Sequence, residues 1–445
     1  MEQINHSTAF ALDEGKTYSF YQSIVLKILA RLDKGRLRLV LPSGEVRYFG
    51  DQLSEHRASV RIVNPGFFKK AVFYGDVGLG EAYVDGDWET ESVTNVIQWF
   101  LLNMDNLALV SGSPTKFSPV NILKALNRLY HLARPNTVRG SRKNIAQHYD
   151  LSNDFYSLFL DSTMSYSSAV FTRPGESLAE AQTEKYDRLC RRLHLKPSDR
   201  VLEIGCGWGG FAEHAVRNYG VHVTAVTISK EQYKFAKRRF REAGMSDRIT
   251  LLLKDYRSIV GQFDKIVSIE MLEAVGHRFL DKFFAQCHRL LHRNGLLGLQ
   301  VITSPDSQYE TLRKSVDWIQ KHIFPGSLLP SIAAINRAVN KTGDLTLHNL
   351  EEHTSSYAKT LAIWRQNFNA KIAQAKELGF TQEFVRKWNY YLSYCEAAFR
   401  MRNIAVVQMV YTRPNNVGVF NTHNAQAIST EVKKSFQNSE KMIPA

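Results

Sequence analysis

Three carboxylates and one glycine-rich turn carry the chemistry most legible in this sequence. Val201-Leu-Glu-Ile-Gly-Cys-Gly-Trp-Gly-Gly210 reads as a strand, a tight turn and the start of a helix. Gly205, Gly207 and Gly210 satisfy G-x-G-x-x-G, a spacing that lets backbone approach a nucleotide closely. A NAD site would call for an acidic residue ending the next strand, about 20 residues on. That strand ends instead in Thr227-Ile-Ser-Lys-Glu-Gln232, with no carboxylate at its tip. Glu203 stands just before the first glycine, and Lys254-Asp255-Tyr256 offers a carboxylate and a ring for an adenine at the end of the third strand. A single-nucleoside cofactor fits these strand ends better than NAD. The third carboxylate, Glu273, follows the fourth strand; it reads as an acid with a shifted pKa or as a helix N-terminal carboxylate favoured by the dipole.

The elements that must position these groups follow from the patterning. Apolar runs at Val201–Ile204, Val221–Val226, Ile249–Leu253, Lys265–Ile269 and Leu296–Ile302 alternate with helical patterns such as Lys230–Glu242 and Phe279–His292. Such alternation predicts right-handed βαβ units: an α/β fold with a parallel sheet and helices on both faces. The candidates at 205–210, 227–232, 255–256, 273 and 300 all fall at or just after the carboxyl ends of those strands, where open α/β sheets bind ligands. Residues 303–350 are expected to form a lid-like insert containing Trp318–Pro330. Helices are expected at about 355–378 and 382–400, then a last strand at Ile404–Tyr411 and a polar tail at 421–445.

Residues 1–130 read as a small α+β accessory domain, with a hairpin turn at Pro42-Ser-Gly44. Near its start Ile24, Val25, Ile28, Leu29 and Leu32 recur at helical spacing among Lys27, Arg31 and Lys34. Such a stripe either lies on an anionic membrane or, the commoner outcome, packs on its own domain. The accessory domain is thus a candidate for membrane, lipid or dimer contact. Arg134, Arg139, Arg142 and Lys143 mark a basic linker over 131–145, either a phosphate contact or a solvated connection.

Of 445 residues, 44% are hydrophobic and 22% charged, values that exclude wholesale disorder and a collagen-like fibre. The net charge of +14 favours an anionic partner: nucleic acid, a phospholipid surface or a phosphorylated substrate. No run approaches the roughly 18 apolar residues of a membrane span. The start, MEQINHSTAFALDEG, lacks the features of a signal peptide, and the four cysteines are scattered, as expected of a reduced cytoplasmic chain.

Glu-Ile-Gly-Cys-Gly-Trp-Gly-Gly followed by Val-Thr-Ile-Ser-x-Glu-Gln resembles the S-adenosylmethionine-dependent methyltransferases of the cyclopropane-fatty-acid synthase family. The resemblance extends to Gln147–Asp154, Met164–Ser168, Asp255–Arg257, Glu270-Met-Leu-Glu-Ala-Val-Gly276, Ile323–Gly326, Tyr391–Arg400 and, in the accessory domain, Tyr74–Tyr83. It implies a Rossmann-like class I methyltransferase sheet over about 146–420. It also implies that S-adenosylmethionine is held by Tyr166, Ser167, Glu203, Gly205, Gly207, Thr227, Ile228, Gln232, Asp255 and Tyr256. A bicarbonate ion beside the reacting methyl is implied, on the backbone at Ser168 and Ile302, the side chain of Glu273, position 300 and the hydroxyl of Tyr357. Cys395 matches a cysteine of the active site.

Two positions depart from that pattern. Ser168 replaces a usual cysteine, which a backbone contact tolerates. Gln300 replaces a usual histidine; it still donates an N–H but cannot carry a proton. The wording around Glu270–Gly276 and Gln300 is closer to the branch making methyl- or methylene-branched fatty acids. The resemblance therefore implies methyl transfer to an unsaturated acyl chain of membrane phospholipid, at the cytoplasmic face, closing a cyclopropane ring or leaving a branch.

Other readings fare less well. Cys287, His288 and His292 could place two nitrogens on one helical face, but no further metal ligands accompany them, and no metal is expected. An RNA or DNA methyltransferase would suit the charge, yet Glu270-Met-Leu-Glu273 stands where amino-directed enzymes of this fold carry Asn/Asp-Pro-Pro-aromatic. A binding protein that has lost catalysis would have only Gln300 in its favour. Cys190 reads as core, and Tyr390, Tyr391 and Tyr394 as core or as the wall of an acyl tunnel.

Overall fold

The computed structural model describes residues 19–104 and 151–420. The linker at 131–145 and the tail at 421–445 lie outside these, as does the start of the Gln147–Asp154 motif. The chain divides near residue 125 into two compact units, with Arg386–Tyr390 grouped with the first.

In the first unit a four-stranded sheet has the order β2-β1-β3-β4. The strands are β1 (Arg36–Val40), β2 (Val46–Gly50), β3 (Arg57–Ile62) and β4 (Trp88–Glu89). β1 and β2 form the antiparallel hairpin expected at Pro42-Ser-Gly44, while β3 lies parallel to β1. Of the apolar stripe that begins on the helix Phe20–Leu29, Val25, Leu29 and Leu32 are buried, while Ile24 and Ile28 are half-buried. The motif Tyr74–Tyr83 falls within the helical segment Gly66–Val84, which bends at Gly75 where φ is +56°.

The second unit is built on a seven-stranded sheet of order β10-β11-β9-β8-β5-β6-β7. Its strands are β5 (Arg200–Ile204), β6 (His222–Thr227), β7 (Ile249–Leu253), β8 (Phe263–Ile269), β9 (Leu291–Thr303), β10 (Thr346–Glu352) and β11 (Ala405–Thr412). The five strands β5 to β9 are mutually parallel; β11 runs antiparallel to β9 and β10. Alternation along β5 sends Leu202 and Ile204 into one core and Val201 into the other. The first core takes helices Leu280–Leu290 and Ile332–Thr342; the second takes Leu178–Arg192, Gly210–Tyr219 and Lys230–Glu242. Burial on both faces is why these strands read as apolar runs. Chain order reverses at β5, which lies between β8 and β6, so the carboxyl ends of β5 and β8 flank the switch point where such sheets bind ligands.

Two elements differ from expectation. The stretch 303–350, expected as a lid-like insert, contributes to the framework. Its helix Ile332–Thr342 buries Ile335, Ala338 and Val339 in the first core, and β10 forms the sheet edge. The helix expected over 355–378 breaks at Lys371, whose φ of −117° separates Thr354–Ala370 from Ile372–Glu377. Among the described residues no helix is long and apolar enough to cross a membrane.

Candidate active site

The glycine turn after β5 is shaped by sterics. Gly205 and Gly207 adopt φ of +84° and +53°, and a Cβ on Gly205 would stand 2.8 Å from Met271 Cγ. Only glycine occupies such a position without strain. The turn forms the floor of a cavity of about 220 Å³. All ten residues expected to hold the methyl donor line it: Tyr166, Ser167, Glu203, Gly205, Gly207, Thr227, Ile228, Gln232, Asp255 and Tyr256. Phe324, Pro325 and Ser327 of the insert complete one wall, and Leu328 N–H, donating to Glu273 O at 2.9 Å, ties that loop to the segment that follows β8.

Neighbours hold the lining groups in place. Thr227 Oγ1 donates to Gln232 Oε1 at 2.8 Å, and Ser229 caps the helix that carries Gln232. Both carboxylate oxygens of Asp255 pair with the Arg257 guanidinium, at 2.8 and 2.7 Å. Glu203 is 3% exposed and its Oε2 has no hydrogen-bond partner. Burial drives its pKa up to about 8, against the pull of Lys185, Arg239 and the Ala212 N–H. A buried carboxyl with a free oxygen in the cavity wall is suited to a cationic group on a ligand.

The residues expected to cradle bicarbonate do converge, but around the chain's own carboxylates. Glu270 Oε1 accepts from the Ser168 N–H and from Gln300 Nε2, both at 2.8 Å. Its Oε2 accepts from the Tyr357 hydroxyl at 2.7 Å. The Ile302 N–H donates to Glu273 Oε1 at 2.5 Å. The donors expected to bind a separate anion are thus engaged by two buried carboxyls, and one of these, charged, would repel it. The arrangement does not fit bicarbonate.

Two details explain the substitutions at positions 168 and 300. Ser168 turns its hydroxyl to Ala169 O at 2.8 Å, so only its backbone N–H serves Glu270. Gln300 pairs across the sheet with Gln408, which donates to its amide oxygen at 3.0 Å and leaves the Gln300 NH₂ facing Glu270.

Glu270 itself sits at the carboxyl end of β8 with φ of +48°, a left-handed conformation that costs a non-glycine residue. Burial raises its pKa, opposed by Tyr357, Gln300, Lys185 and the Ser168 N–H. Its carboxylate oxygens accept from the Ser168 N–H, the Gln300 amide and the Tyr357 hydroxyl, which suits an ionised carboxylate. Burial and the Glu270 charge push Glu273 up to about 8. Of the two, then, Glu270 carries the charge and Glu273 the proton, as neighbouring acids divide them.

Aromatic rings surround this pair. Tyr357 stacks on Phe399 with centroids 4.3 Å apart, Tyr166 lies 5.3 Å from Trp364, and the Tyr166 and Tyr391 hydroxyls meet at 2.8 Å. Cys395, on the helix Gln382–Arg400, is close enough to Tyr357 and Tyr391 to act on them electrostatically. Burial and Asp317 raise its own thiol far above neutrality, so it is a thiol and not a nucleophilic thiolate. Tyr390 is core.

Residues 137–409 match the family described as mycolic acid cyclopropane synthetase. The chain belongs to this family. It is 37% identical over 350 residues to the tuberculostearic acid methyltransferase UfaA1 of Mycobacterium tuberculosis, covering 76% of this chain and 79% of that protein. It is equally 37% identical over 357 residues to the cyclopropane-fatty-acyl-phospholipid synthase of Escherichia coli, covering 80% of this chain and 88% of that one. Among solved structures it is similar to the mycolic acid cyclopropane synthase CmaA1 complexed with SAH and CTAB. There the TM-score is 0.57 at 33% identity, over 61% of this chain and 98% of that one. The chain is an S-adenosylmethionine-dependent methyltransferase with a Rossmann-like class I fold.

The methyltransferase contains two groups that sequence reasoning passed over. Glu270 was visible as a second carboxylate at a strand end, three residues before Glu273. Lys185 also carried a signal. Leu178, Ala181, Gln182, Lys185 and Leu189 form the buried stripe of their helix, which places a lysine on an inward face.

Proposed function

We propose that the enzyme transfers the methyl group of S-adenosylmethionine to the double bond of an unsaturated fatty acyl chain of membrane phospholipid and closes a cyclopropane ring. The observation that carries this reading is Glu270: a carboxylate held by three donors, in the wall of the donor cavity and among aromatic rings.

S-adenosylmethionine supplies an electrophilic methyl on a sulfonium. The unpaired Oε2 of Glu203 would take up the ammonium of its amino-acid part, the turn at Gly205 and Gly207 would admit it closely, and Tyr256 with Asp255 would face the adenosine. Tyr166, Ser167, Thr227, Ile228 and Gln232 complete the enclosure. An isolated alkene is a weak nucleophile, so holding it in line with the methyl is a large part of the catalysis. Its π pair forms the new C–C bond while the S–C pair stays on sulfur, and the other alkene carbon becomes cationic. The Tyr357, Phe399 and Trp364 faces and the Glu270 charge stabilise that cation away from water. A C–H pair of the new methyl then closes the ring, and its proton passes to Glu270. Protonated Glu273 holds no charge that would compete, and neutral Gln300 fixes Glu270 without taking up the proton itself.

A second reading, a methylene- or methyl-branched product, is favoured by Gln300 and by the similarity to a tuberculostearic acid methyltransferase. In that case the proton is lost after a hydride shift; saturation to a methyl branch would need a separate reductase. The net charge of +14 supports work at an anionic bilayer on the cytoplasmic face, with the N-terminal unit as an accessory to that contact or to a homodimer.

The test is proton NMR of fatty acids released from unsaturated anionic phospholipid vesicles after incubation with enzyme and S-adenosylmethionine. Upfield ring protons are expected. Vinylidene protons would replace the ring reading by the branched one, and absence of transfer would remove the phospholipid acyl chain as acceptor.

A further inference from the structure

Lys185 is a buried ionisable group beside the site that the mechanism above leaves without a role. It is 0% exposed, on the helix Leu178–Arg192 against the second core. Its Nζ donates to Ser167 Oγ at 2.6 Å and lies 4.4 Å from the Tyr186 ring centroid. A serine hydroxyl and a ring face are poor compensation for a desolvated ammonium, whose burial costs several kcal/mol, on the order of a whole domain's margin. Three carboxyls act on it electrostatically: Glu270 from the end of β8, Asp161 from the loop before Ser168, and Glu203 from the end of β5. Two of these have a buried oxygen without a hydrogen-bond partner, Asp161 Oδ1 and Glu203 Oε2. A methionine of similar length would fill the same space without that cost, so the charge itself has a use.

The backbone shows the same focus. Gln182, one turn before Lys185, donates to Ser167 O at 2.9 Å, so one helix face holds Ser167 by both its carbonyl and its hydroxyl. The next N–H along the chain, that of Ser168, holds Glu270. From the other side Gln408 on β11, which orients Gln300, also reaches the Lys185 carbonyl at 3.4 Å.

We infer that Lys185 is a positioning residue for the reaction: its buried ammonium keeps Glu270 ionised, and its bond to Ser167 sets the Ser168 N–H on that carboxylate. Burial lowers the Lys185 pKa to about 8, with Glu270, Asp161 and Glu203 pulling the other way. Above that pH the cation fades, and with it the bias toward the Glu270 carboxylate.

This inference rests on Glu270 as the proton acceptor, and its tests separate the two. In Lys185→Met, turnover is expected to fall most at low pH, tenfold for each unit by which the raised Glu270 pKa then exceeds the pH. Donor affinity should persist, and the rate should recover as pH rises and Glu270 ionises unaided. An unchanged rate, or an equal loss at every pH, overturns the inference. The second test needs no change at Lys185. In enzyme carrying 13Cε-lysine, the Lys185 titration should move to lower pH in Glu270→Gln, because the attracting charge has gone. An unmoved midpoint overturns the coupling. Undiminished turnover in Glu270→Gln would instead remove the proton-acceptor reading, whatever the titration shows.

Discussion

Replacing Glu273 by glutamine should stabilise the free enzyme at alkaline pH and leave it nearly unchanged at acid pH. Unfolded, a glutamate has its ordinary pKa of 4.5; folded, burial and the adjacent Glu270 charge push that of Glu273 up to about 8. Between these values the folded state binds one proton more than the unfolded state, so stability falls as pH rises. The slope approaches roughly 1 kcal/mol for each pH unit, which makes a difference on the order of 3 kcal/mol between pH 5 and pH 8. Glutamine imitates the protonated acid and keeps an oxygen for the Ile302 N–H, so the variant loses this slope and little else. Glu203, also raised to about 8, contributes in the same direction to both proteins. His194, His277 and His353, all lowered by burial, oppose it below about pH 6.5, again in both. The difference between the two proteins therefore isolates Glu273. Guanidinium denaturation midpoints measured at half-unit intervals from pH 5 to 8 should diverge steadily, with the variant the more stable at pH 8. Parallel curves would refute a protonated Glu273 and, with it, the division of charge between the two acids.

Three further outcomes are expected. Tyr357→Phe removes a donor that lowers the Glu270 pKa, so the acid limb of the kcat profile should move to higher pH, with a larger loss at pH 6 than at pH 8. Gly205→Ala places a methyl 2.8 Å from Met271 Cγ on a backbone of φ +84°; calorimetry should show weaker S-adenosylmethionine binding, and denaturation a loss of about 1–3 kcal/mol. Gln408→Leu leaves the Gln300 amide oxygen without its donor and free to turn toward Glu270. Turnover should drop while donor affinity, measured by the same calorimetry, stays as it was.

The cavity was legible in the sequence because its lining follows from local patterns. Apolar runs marked β5 to β9, and in such a sheet the residues after each strand face the ligand whatever the side-chain details. That reasoning brings Gly205, Gln232 and Asp255 to one place, and all three line the cavity. It could not show what the candidate groups around Glu270 bind, since Ser168, Glu270, Gln300 and Tyr357 come from four separate segments, and their meeting depends on tertiary structure. Glu270 turns toward Ser168 through a left-handed backbone that no propensity announces for glutamate. The expected bicarbonate site gave way for this reason: the donors converge, but on a carboxylate three residues from Glu273. β10 was missed for a different reason. Thr346–Glu352 is an edge strand whose residues are exposed or half-buried, so it shows no apolar alternation.

The most direct test of the proton-acceptor role is a paired measurement on Glu270→Gln, comparing S-adenosylmethionine affinity with turnover on unsaturated phospholipid vesicles. Glutamine keeps an oxygen for the Ser168 N–H and turns its NH₂ to the oxygen of the Tyr357 hydroxyl, but it cannot accept a proton. The account predicts donor affinity close to that of the parent and turnover lower by about 10²–10⁴-fold, the contribution of a positioned general base. Turnover within a few-fold of the parent would contradict it, and another group would then have to take the proton.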